Sequence, residues 1–551
     1  MIYPKIPLAQ SILEICLAKG VTDIVISPGS RNAPLTIGFA NNPNFNCYSV
    51  ADERSAAFFA LGMAQQLKKP VAVVCTSGSA LLNYYPAVAE AFYSQIPLIV
   101  ISADRPHDKI DIGDGQTIRQ ENVYANHIVY TANLLEDAST ENDRLINEAI
   151  NIAVLQKGPV HINAPFEEPL YETVTALSVQ SQVFDTIVEE PFKEDLTLYI
   201  DKWNTAKKKL VLVGVNDPNT IDAGVIEHLA KDPSVVVMVE TTSNLHHETF
   251  LNSIDTIITP FTVEDFEAYS PEILVTFGGM VVSKRVKAWL RKYKPADHWH
   301  IDTLRAYDTF GALTKHFEED ANTFFSDFLP KTIMVESGYN QMAQELNAFR
   351  KIKHDEYLAT IPFSDFKAFE VILPALNDNS QLQISNSSAV RYLQLFNVKD
   401  SVEVFCNRGT SGIDGSSSTA VGAAVASGKE TLLITGDISF LYDSNALWNN
   451  YIPKDFKIIV INNGGGGIFR ILPGHAETPV FNTYFETAHN LTAEHLAKMY
   501  GFSYDTARDE NGLTTALETF MQNGTQPKIL EVFTPMLEND KILLQYFKEL
   551  T

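Results

Sequence analysis

The chain has 551 residues, of which 45% are hydrophobic and 20% are charged, and its formal net charge is −25. This length predicts several domains, and the composition is that of a soluble globular protein. No apolar run is long enough to span a bilayer, so we expect no membrane insertion. The strong negative charge argues against nucleic acid and anionic membranes as partners.

Four scattered cysteines, Cys16, Cys47, Cys75 and Cys406, form no Cys-x-x-Cys pair. Each lies in an apolar stretch, which indicates buried and reduced thiols. Residues 1–5 lack the pattern of a signal peptide. We therefore expect a cytoplasmic protein.

The first third of the chain alternates predicted strands with predicted helices, as in a doubly wound parallel sheet. Apolar runs predict strands at 24–26, 47–50, 71–75, 98–102 and 160–162. Polar side chains follow the carboxyl ends of these strands, which is the ligand-binding edge of such sheets. These side chains are Ser30, Arg31, Glu53, Ser77 and Arg105.

The middle third repeats this pattern, with predicted strands at 210–213, 235–239 and 273–277. It contains no Gly-x-Gly-x-x-Gly motif for a dinucleotide, so we expect a structural spacer between two working domains. The acidic stretch around Glu189, Glu190 and Pro191 indicates a linker before it. We predict an α/β protein of three doubly wound parallel-sheet domains, spanning 1–180, 181–345 and 346–551.

The last third contains the stretch around which the chain is organised. A predicted strand at 431–435 leads into Gly436 and Asp437, a helix is expected over 442–448, and a second strand at 457–461 runs into Asn462 and Asn463. A parallel crossover places both strand ends side by side. Asp and Asn oxygens with a main-chain carbonyl suit Mg2+ bound to phosphate. The alternative is an ordinary βαβ crossover with a polar loop.

Gly436-Asp437-Ile438 followed by Asn462-Asn463 resembles the signature of thiamin-diphosphate-dependent enzymes. Ile438 replaces the third glycine of that signature and leaves the metal ligands in place. The resemblance implies a thiamin-diphosphate-binding fold, whose first domain holds the pyrimidine and whose last domain holds the diphosphate. It also implies Mg2+, replaceable by Mn2+, bound by Asp437, Asn463 and a glycine carbonyl. The run of four glycines leaves that carbonyl open, and its offset from Asn463 favours Gly465.

The resemblance gives roles to two further residues. Glu53 matches the carboxylate that bonds the pyrimidine and so activates the thiazolium, although Asp52-Glu53 alone is also a good helix start. Ile413 matches the apolar wedge that keeps the cofactor bent, although a buried Ile is usually core. The implied cofactor contacts are Glu53, Ser411, Ile413, Asp437, Ile438, Ser439, Asn463 and Ile468.

Longer motifs at 27–35, 101–106, 407–415, 437–443 and 462–469 resemble one branch of this class. The branch is the 2-succinyl-5-enolpyruvyl-6-hydroxy-3-cyclohexene-1-carboxylate synthases of menaquinone biosynthesis. The resemblance implies a transferase that decarboxylates 2-oxoglutarate and adds the resulting carbanion to isochorismate. It also implies at least a homodimer, because neighbouring subunits share each cofactor, and a homotetramer of two dimers also fits.

Substrates that carry several carboxylates need local cations in so acidic a chain, and the arginine fork suits carboxylates. By resemblance the substrate pocket comprises Ser30, Arg31, Arg105, Gln116, Lys284, Arg285, Ser387, Arg391 and Arg408, with Ile468 near the reacting centre. Any single arginine more commonly forms a surface ion pair. The prediction of a substrate pocket therefore rests on the whole set of residues and not on any one of them.

Two other functions fit parts of the sequence. A carboligase or decarboxylase of the acetolactate synthase type would share Glu53 and the metal motif, but it would need a smaller and less cationic pocket. A non-catalytic nucleotide-binding module would have no reason to keep Glu53, Asp437 and Asn463 together.

Overall fold

The computed structural model describes residues 1–185, 194–472, 474 and 477–551. Three parallel sheets, each with its own helices, follow one another along the chain, and we call them the first, middle and last domains. This arrangement confirms the predicted α/β class of doubly wound parallel sheets. The linker predicted around Glu189, Glu190 and Pro191 lies outside the described residues.

The first domain contains a six-stranded sheet. A separate pair of short antiparallel strands joins the beginning of the domain's chain to its end. Its strands are β1 (Tyr3–Pro4), β2 (Asp23–Ile26), β3 (Asn46–Ser49), β4 (Val71–Cys75), β5 (Leu98–Asp104), β6 (Tyr130–Asn133), β7 (Val160–Pro165) and β8 (Thr173–Val174). Its helices are α1 (Pro7–Ala18), α2 (Ala33–Ala40), α3 (Glu53–Leu67), α4 (Ala80–Asn83), α5 (Tyr85–Ser94) and α6 (Thr140–Leu155). The sheet order is β3-β2-β4-β5-β7-β6, and β1 pairs with β8.

The central strand β4 shows how this sheet is covered on both faces. Val71 and Val73 pack into one apolar cluster with residues of α3, whereas Ala72 and Val74 pack into a second cluster with residues of α1 and α6. Successive side chains of a strand point to opposite faces of the sheet. An uninterrupted apolar strand is therefore what burial on both faces requires.

The middle domain contains a five-stranded parallel sheet with the order β10-β9-β11-β12-β13. Its strands are β9 (Lys209–Val213), β10 (Val235–Val239), β11 (Ile273–Phe277), β12 (Asp297–Ile301) and β13 (Leu313–Phe317). Its helices are α7 (Thr197–Thr205), α8 (Ala223–Lys231), α9 (Ile254–Ile258), α10 (Val263–Tyr269), α11 (Lys284–Lys292) and α12 (Ala321–Phe328). The three predicted strands are confirmed. Strands β12 and β13 were not predicted, because polar residues interrupt their apolar runs.

The last domain contains a second six-stranded parallel sheet with the order β15-β14-β16-β17-β19-β18. Its strands are β14 (Gln381–Ile384), β15 (Glu403–Phe405), β16 (Thr431–Gly436), β17 (Lys457–Asn462), β18 (Ser503–Ala507) and β19 (Lys528–Phe533). Its helices are α13 (Tyr339–Leu358), α14 (Asp365–Ile372), α15 (Ser388–Leu393), α16 (Ser416–Ser427), α17 (Asp437–Tyr442), α18 (Pro479–Tyr484), α19 (Glu494–Met499), α20 (Glu510–Phe520) and α21 (Asn539–Glu549).

The helix predicted at 442–448 is wrong in position. Helix α17 begins at Asp437, directly after β16, and ends at Tyr442, and a 3-10 turn follows at Ser444–Leu447. An acidic residue in the first turn of a helix is favoured by the helix dipole. The expected metal ligand Asp437 is therefore also the residue that starts the crossover helix.

The first and last domains share one topology. Counted from β2 and from β14, both sheets have the order second, first, third, fourth, sixth and fifth strand. Helices α3 and α16 occupy the same place in the two copies, and they pack on each other. A Cβ atom on Gly62 would lie 2.1 Å from the carbonyl oxygen of Thr419, and one on Gly422 would lie 2.0 Å from that of Phe59. The two glycines let the helix backbones touch.

The predicted spans 1–180, 181–345 and 346–551 stay predictions, and helix α13 runs across the second boundary. Within the described residues, no helix combines the length and the apolar character that crossing a bilayer requires.

Candidate active site

Asp437 lies at the junction of β16 and α17, and it is only 4% exposed. Its Oδ2 accepts hydrogen bonds from the backbone N–H groups of Gly464 at 2.9 Å and Gly465 at 3.0 Å. The Nε2 atom of His489 lies 3.3 Å from the same oxygen, and the carboxylate raises the pKa of this histidine. The expected meeting of the two strand ends is confirmed, because the glycines directly follow β17.

Asn463 is held by a carboxylate from another part of the last domain. Its Nδ2 donates to Oδ2 of Asp365 at 2.9 Å. Burial raises the pKa of Asp365 to about 6, and the nearby charge of Asp437 acts in the same direction. Among the described residues, no donor is hydrogen-bonded to Oδ1 of Asn463, so this oxygen is available to a ligand.

These residues fit a hard cation. One carboxylate, one amide oxygen and one main-chain carbonyl are oxygen ligands that Mg2+ accepts beside phosphate. The carbonyl of Gly465 accepts one hydrogen bond, from the N–H of Gly467 at 3.0 Å, and a carbonyl oxygen has a second lone pair. No group of three or more His, Cys, Asp or Glu side chains that could hold a metal occurs in the described part of the chain. A metal here therefore depends on amide and main-chain oxygens.

The loop that carries Ser411 and Ile413 is tied to the start of α17. The Oγ of Ser439 donates to the carbonyl of Ile413 at 2.7 Å. Asn386, two residues after the end of β14, donates from Nδ2 to the carbonyls of Asn407 and Gly412, both at 2.7 Å. Ile413 thus lies beside the start of α17, the helix that begins at Asp437, and its role as the apolar wedge stays a prediction.

Glu90 holds the other side of this loop, although it belongs to the first domain. Its carboxylate is 1% exposed and accepts hydrogen bonds from the N–H of Gly409 at 2.7 Å and the N–H of Thr410 at 2.6 Å. The hydroxyls of Thr410 and Ser94 donate to it at 2.8 and 2.7 Å. A buried carboxylate needs such donors, because its desolvation is otherwise costly.

Glu53 is the first residue of α3, and Asp52 caps this helix by accepting from the N–H of Ser55 at 3.0 Å. Burial raises the pKa of Glu53, and the charge of Asp52 raises it further. Within the described residues of one chain, no hydrogen bond or ion pair joins Glu53 to Asp437. The start of α3 lies instead against the end of α17, where Arg54 donates to the carbonyl of Tyr442 at 2.6 Å.

The charges of Arg391 and Arg408, two residues of the predicted pocket, lie near enough to act on each other. The Nε atoms of both side chains are buried, and no hydrogen bond reaches them within the described residues. Burial lowers the pKa of Arg391, and the charge of Arg408 lowers it further, whereas the carboxylates of Asp255 and Glu240 oppose this. Two incompletely paired cations this close favour an anionic ligand.

The first-domain arginines of the predicted set have partners within their own domain. Arg31 is buried and donates to the carbonyl of Phe166 at 2.9 Å and to Glu168 at 3.0 Å. Arg105 donates from Nε to the carbonyl of Gly115 at 3.0 Å. Both remain at the carboxyl ends of their strands, so their place in the sheet agrees with the prediction.

The remaining predicted pocket residues lie on loops and helix starts. Ser30 and Gln116 are exposed, and so are Lys284 and Arg285 at the start of α11. The guanidinium of Arg285 lies 4.9 Å from the centre of the Phe547 ring. Ser387 is the N-cap residue before α15 and has a φ of 70°, and Ile468 lies in the 3-10 turn Gly467–Ile471. Among the described residues, no hydrogen bond, ion pair or ring contact joins these side chains to Arg391 or Arg408.

Two family models match the first and last domains. The model of the thiamine pyrophosphate enzyme N-terminal TPP binding domain matches residues 6–125, and that of the C-terminal TPP binding domain matches residues 387–532. Relatives named 2-succinyl-5-enolpyruvyl-6-hydroxy-3-cyclohexene-1-carboxylate synthase match the whole chain. The protein of Flavobacterium johnsoniae is 68% identical over 100% of both chains. That of Christiangramia forsetii is 52% identical over 99% of both, and that of Porphyromonas gingivalis is 39% identical over 97% of this chain and 96% of its own.

The chain belongs to the 2-succinyl-5-enolpyruvyl-6-hydroxy-3-cyclohexene-1-carboxylate synthase family. It is therefore a thiamin-diphosphate-dependent enzyme, and the resemblance read from its motifs is confirmed. The non-catalytic nucleotide-binding module is excluded as an alternative. Glu53 lies within the N-terminal family model, and Asp437 and Asn463 lie within the C-terminal one.

Three polar residues that organise this synthase-family site were not predicted. Glu90 lies inside a helix of the first domain, and Asp365 lies at the start of a helix outside both family models. No local pattern marks either one, because their partners are distant in the sequence. Asn386 could have been found, since it is a polar residue close behind the carboxyl end of β14, at the ligand-binding edge of the sheet.

Proposed function

We propose that the protein decarboxylates 2-oxoglutarate and adds the resulting four-carbon unit to isochorismate in menaquinone biosynthesis. The products are CO2 and 2-succinyl-5-enolpyruvyl-6-hydroxy-3-cyclohexene-1-carboxylate. The observation that supports this most is the 68% identity, over the whole length, to a relative with the name of that synthase. An acetolactate synthase type of reaction is less well supported, because Arg391 and Arg408, whose Nε atoms are buried without a hydrogen-bond acceptor among the described residues, favour substrates with several carboxylates.

Thiamin diphosphate, when bound, supplies the carbanion chemistry of both steps. The residues proposed to contact it are Glu53, Ser411, Ile413, Asp437, Ile438, Ser439, Asn463 and Ile468. Asp437, Asn463 and the carbonyl of Gly465 would hold Mg2+, or Mn2+ in its place, against the diphosphate. The backbone N–H groups of Gly464 and Gly465 fix the orientation of the Asp437 carboxylate.

Glu53 would act on the pyrimidine ring. Burial raises the pKa of its carboxyl group, which favours the protonated form that can donate to a ring nitrogen. Asp52 caps α3 and thereby fixes the backbone from which Glu53 projects. The role of Glu53 would be to hold a proton at this carboxyl group, where it can bond the ring nitrogen and so activate the bound cofactor.

The substrate pocket is proposed to comprise Ser30, Arg31, Arg105, Gln116, Lys284, Arg285, Ser387, Arg391, Arg408 and Ile468. Arg391 and Arg408 are its centre in this proposal, because their Nε groups lack hydrogen-bond acceptors among the described residues. A charge-assisted hydrogen bond from each to a substrate carboxylate contributes about 1.5–3 kcal/mol. Glu168, which pairs with Arg31, has a largely exposed side chain, so a substrate carboxylate could replace it.

We propose that two subunits complete each site. In one chain, the start of α3 contacts the last residue of α17, whereas Asp437 is the first residue of that helix. A second chain would supply Glu53 to the cofactor bound at Asp437, which makes a homodimer the minimum and allows a homotetramer. We expect the enzyme to work in the cytoplasm.

The deciding experiment measures isochorismate consumption by the purified protein with thiamin diphosphate and Mg2+. We expect consumption only when 2-oxoglutarate is present, and its loss when the metal is removed with a chelator and not returned. Equal consumption with pyruvate in place of 2-oxoglutarate would disprove the substrate assignment. Full activity after complete removal of divalent metal would disprove the metal site.

A further inference from the structure

Asp365 is a buried carboxylate that touches the proposed metal site without belonging to it. It is 3% exposed and is the first residue of α14. Its Oδ2 accepts from Nδ2 of Asn463 at 2.9 Å, and its Oδ1 accepts from the hydroxyl of Thr534. Its backbone N–H donates to Oδ1 of Asn539 at 2.8 Å. Both of its oxygens are therefore used, and its position is fixed by the segment that follows β19.

The hydrogen bond from Asn463 to Asp365 decides which way the amide of Asn463 points. The oxygen and the nitrogen of an Asn side chain have nearly the same size, so packing alone does not select one orientation. An ionised carboxylate only accepts hydrogen bonds, and it therefore faces the NH2 group of the amide. The Oδ1 atom of Asn463 must then point away from Asp365. The described residues place no donor against that oxygen, so it is available to a cation.

We propose that Asp365 is a positioning residue that orients the amide of Asn463 for the metal. This inference rests on the proposed function, which makes Asn463 a metal ligand. Loss of a residue that hydrogen-bonds to a metal ligand typically weakens metal binding 10–100-fold.

A purely structural role for Asp365 makes a different prediction. Thr534 contacts the other oxygen of the same carboxylate, so Thr534→Val disturbs the same buried cluster without touching Asn463. Asp365→Leu has similar size and no acceptor. Asp365→Asn keeps an oxygen that can accept from Asn463, and its NH2 group can donate to the hydroxyl of Thr534. If Asp365 positions Asn463, only the variant that lacks an acceptor for the Asn463 amide should lose metal affinity. If Asp365 is purely structural, every variant that disturbs the buried cluster should lose it.

The test is calorimetric titration of MgCl2 into the metal-free full-length protein that is saturated with thiamin diphosphate. We expect Asp365→Leu to weaken Mg2+ binding 10–100-fold. Asp365→Asn and Thr534→Val should stay within about threefold of the wild type, since both leave an acceptor facing Asn463. If Asp365→Leu does not fold, Asp365→Ser replaces it, because its short hydroxyl does not reach Asn463, and the same loss is expected.

Two results would overturn the proposal. Mg2+ affinity of Asp365→Leu, or of its Ser replacement, within threefold of the wild type would show that Asn463 needs no such partner. An equal loss of Mg2+ affinity in Thr534→Val would show that disturbance of the buried cluster, and not the orientation of the Asn463 amide, weakens Mg2+ binding. Absence of Mg2+ binding in the wild type would overturn the proposed metal site itself, which separates the two failures.

Discussion

Glu90 and Thr410 are joined by two hydrogen bonds across the interface of the first and last domains. The backbone N–H and the hydroxyl of Thr410 donate to one oxygen of Glu90 at 2.6 and 2.8 Å. Thr410 directly precedes Ser411 in the loop that also carries Ile413. The position of this proposed cofactor loop is thus set in part by a side chain of the other domain.

We expect Glu90→Gln to weaken both folding and cofactor binding. The N–H groups of Gly409 and Thr410 donate to different oxygens of Glu90, so the NH2 group of the glutamine would face one of the two donors. An unsatisfied buried group of this kind costs about 1–3 kcal/mol. Thermal unfolding and titration with thiamin diphosphate would measure the two effects. The exposed Glu141 on α6 offers the control Glu141→Gln, and equal behaviour of the two variants would contradict the role of Glu90.

Gly422→Ala should destabilise the contact between the first and last domains. The added methyl group would meet the backbone of Phe59, which cannot move without shifting α3, and overpacking of this kind costs about 1–3 kcal/mol. The matched control is Gly224→Ala in α8, where no atom lies within 4 Å of the added carbon. This control should be neutral or stabilising, because alanine favours helices. A thermal unfolding midpoint of Gly422→Ala at or above that of the control would contradict the prediction.

Glu53→Gln should abolish turnover and leave cofactor binding largely unchanged. The glutamine keeps the size of the side chain but cannot cycle a proton, and loss of such proton transfer lowers rates by about 100–10,000-fold. Turnover with 2-oxoglutarate and isochorismate gives the rate, and calorimetry gives the affinity for thiamin diphosphate. Asp52→Asn is the control, since asparagine also caps helices. Wild-type turnover in Glu53→Gln would remove the residue from its proposed role.

Arg391→Lys should raise KM more than it lowers kcat. Lysine keeps the charge but lacks the planar fork that pairs with a carboxylate through two hydrogen bonds. A loss of about 1.5–3 kcal/mol corresponds to roughly a 10- to 150-fold fall in kcat/KM. Arg144→Lys, on the exposed face of α6, is the matched control and should change nothing. An unchanged KM for both substrates would place Arg391 outside the pocket.

Asp443 should make stability depend on pH. Burial raises the pKa of its carboxyl group to about 7, although Ser418 donates to it from N–H and Oγ at 2.7 and 2.9 Å. A raised folded pKa means that stability is greatest below the unfolded value of about 4 and is lost as pH rises towards 7.

The single variant Asp443→Asn should remove this contribution. The unfolding free energy of the wild type should fall relative to the variant by up to about 1.4 kcal/mol per pH unit between pH 5 and 7. Thermal unfolding of both proteins across this range measures the difference. A constant difference from pH 5 to pH 8 would show that Asp443 does not titrate in this window.

The sequence predicted the parts of the fold that local patterns determine. Continuous apolar runs identified β4, β10 and β11 to within a residue, because strands buried on both faces are composed mainly of apolar residues. The crossover rule placed Asp437 beside the glycines after β17. Strands β12 and β13 were missed because they contain histidines and other polar residues. The roles of Glu90 and Asp365 depend on tertiary contacts across more than 90 positions, which no local pattern encodes.

The common strand order of the first and last domains has an evolutionary consequence. Glu53 follows the second strand of one copy, and the loop with Ile413 follows the second strand of the other. Duplication of one ancestral unit and later divergence of its loops would produce this division of labour. The two strand scaffolds can then stay constant while the loops of each copy acquire substrate preferences independently.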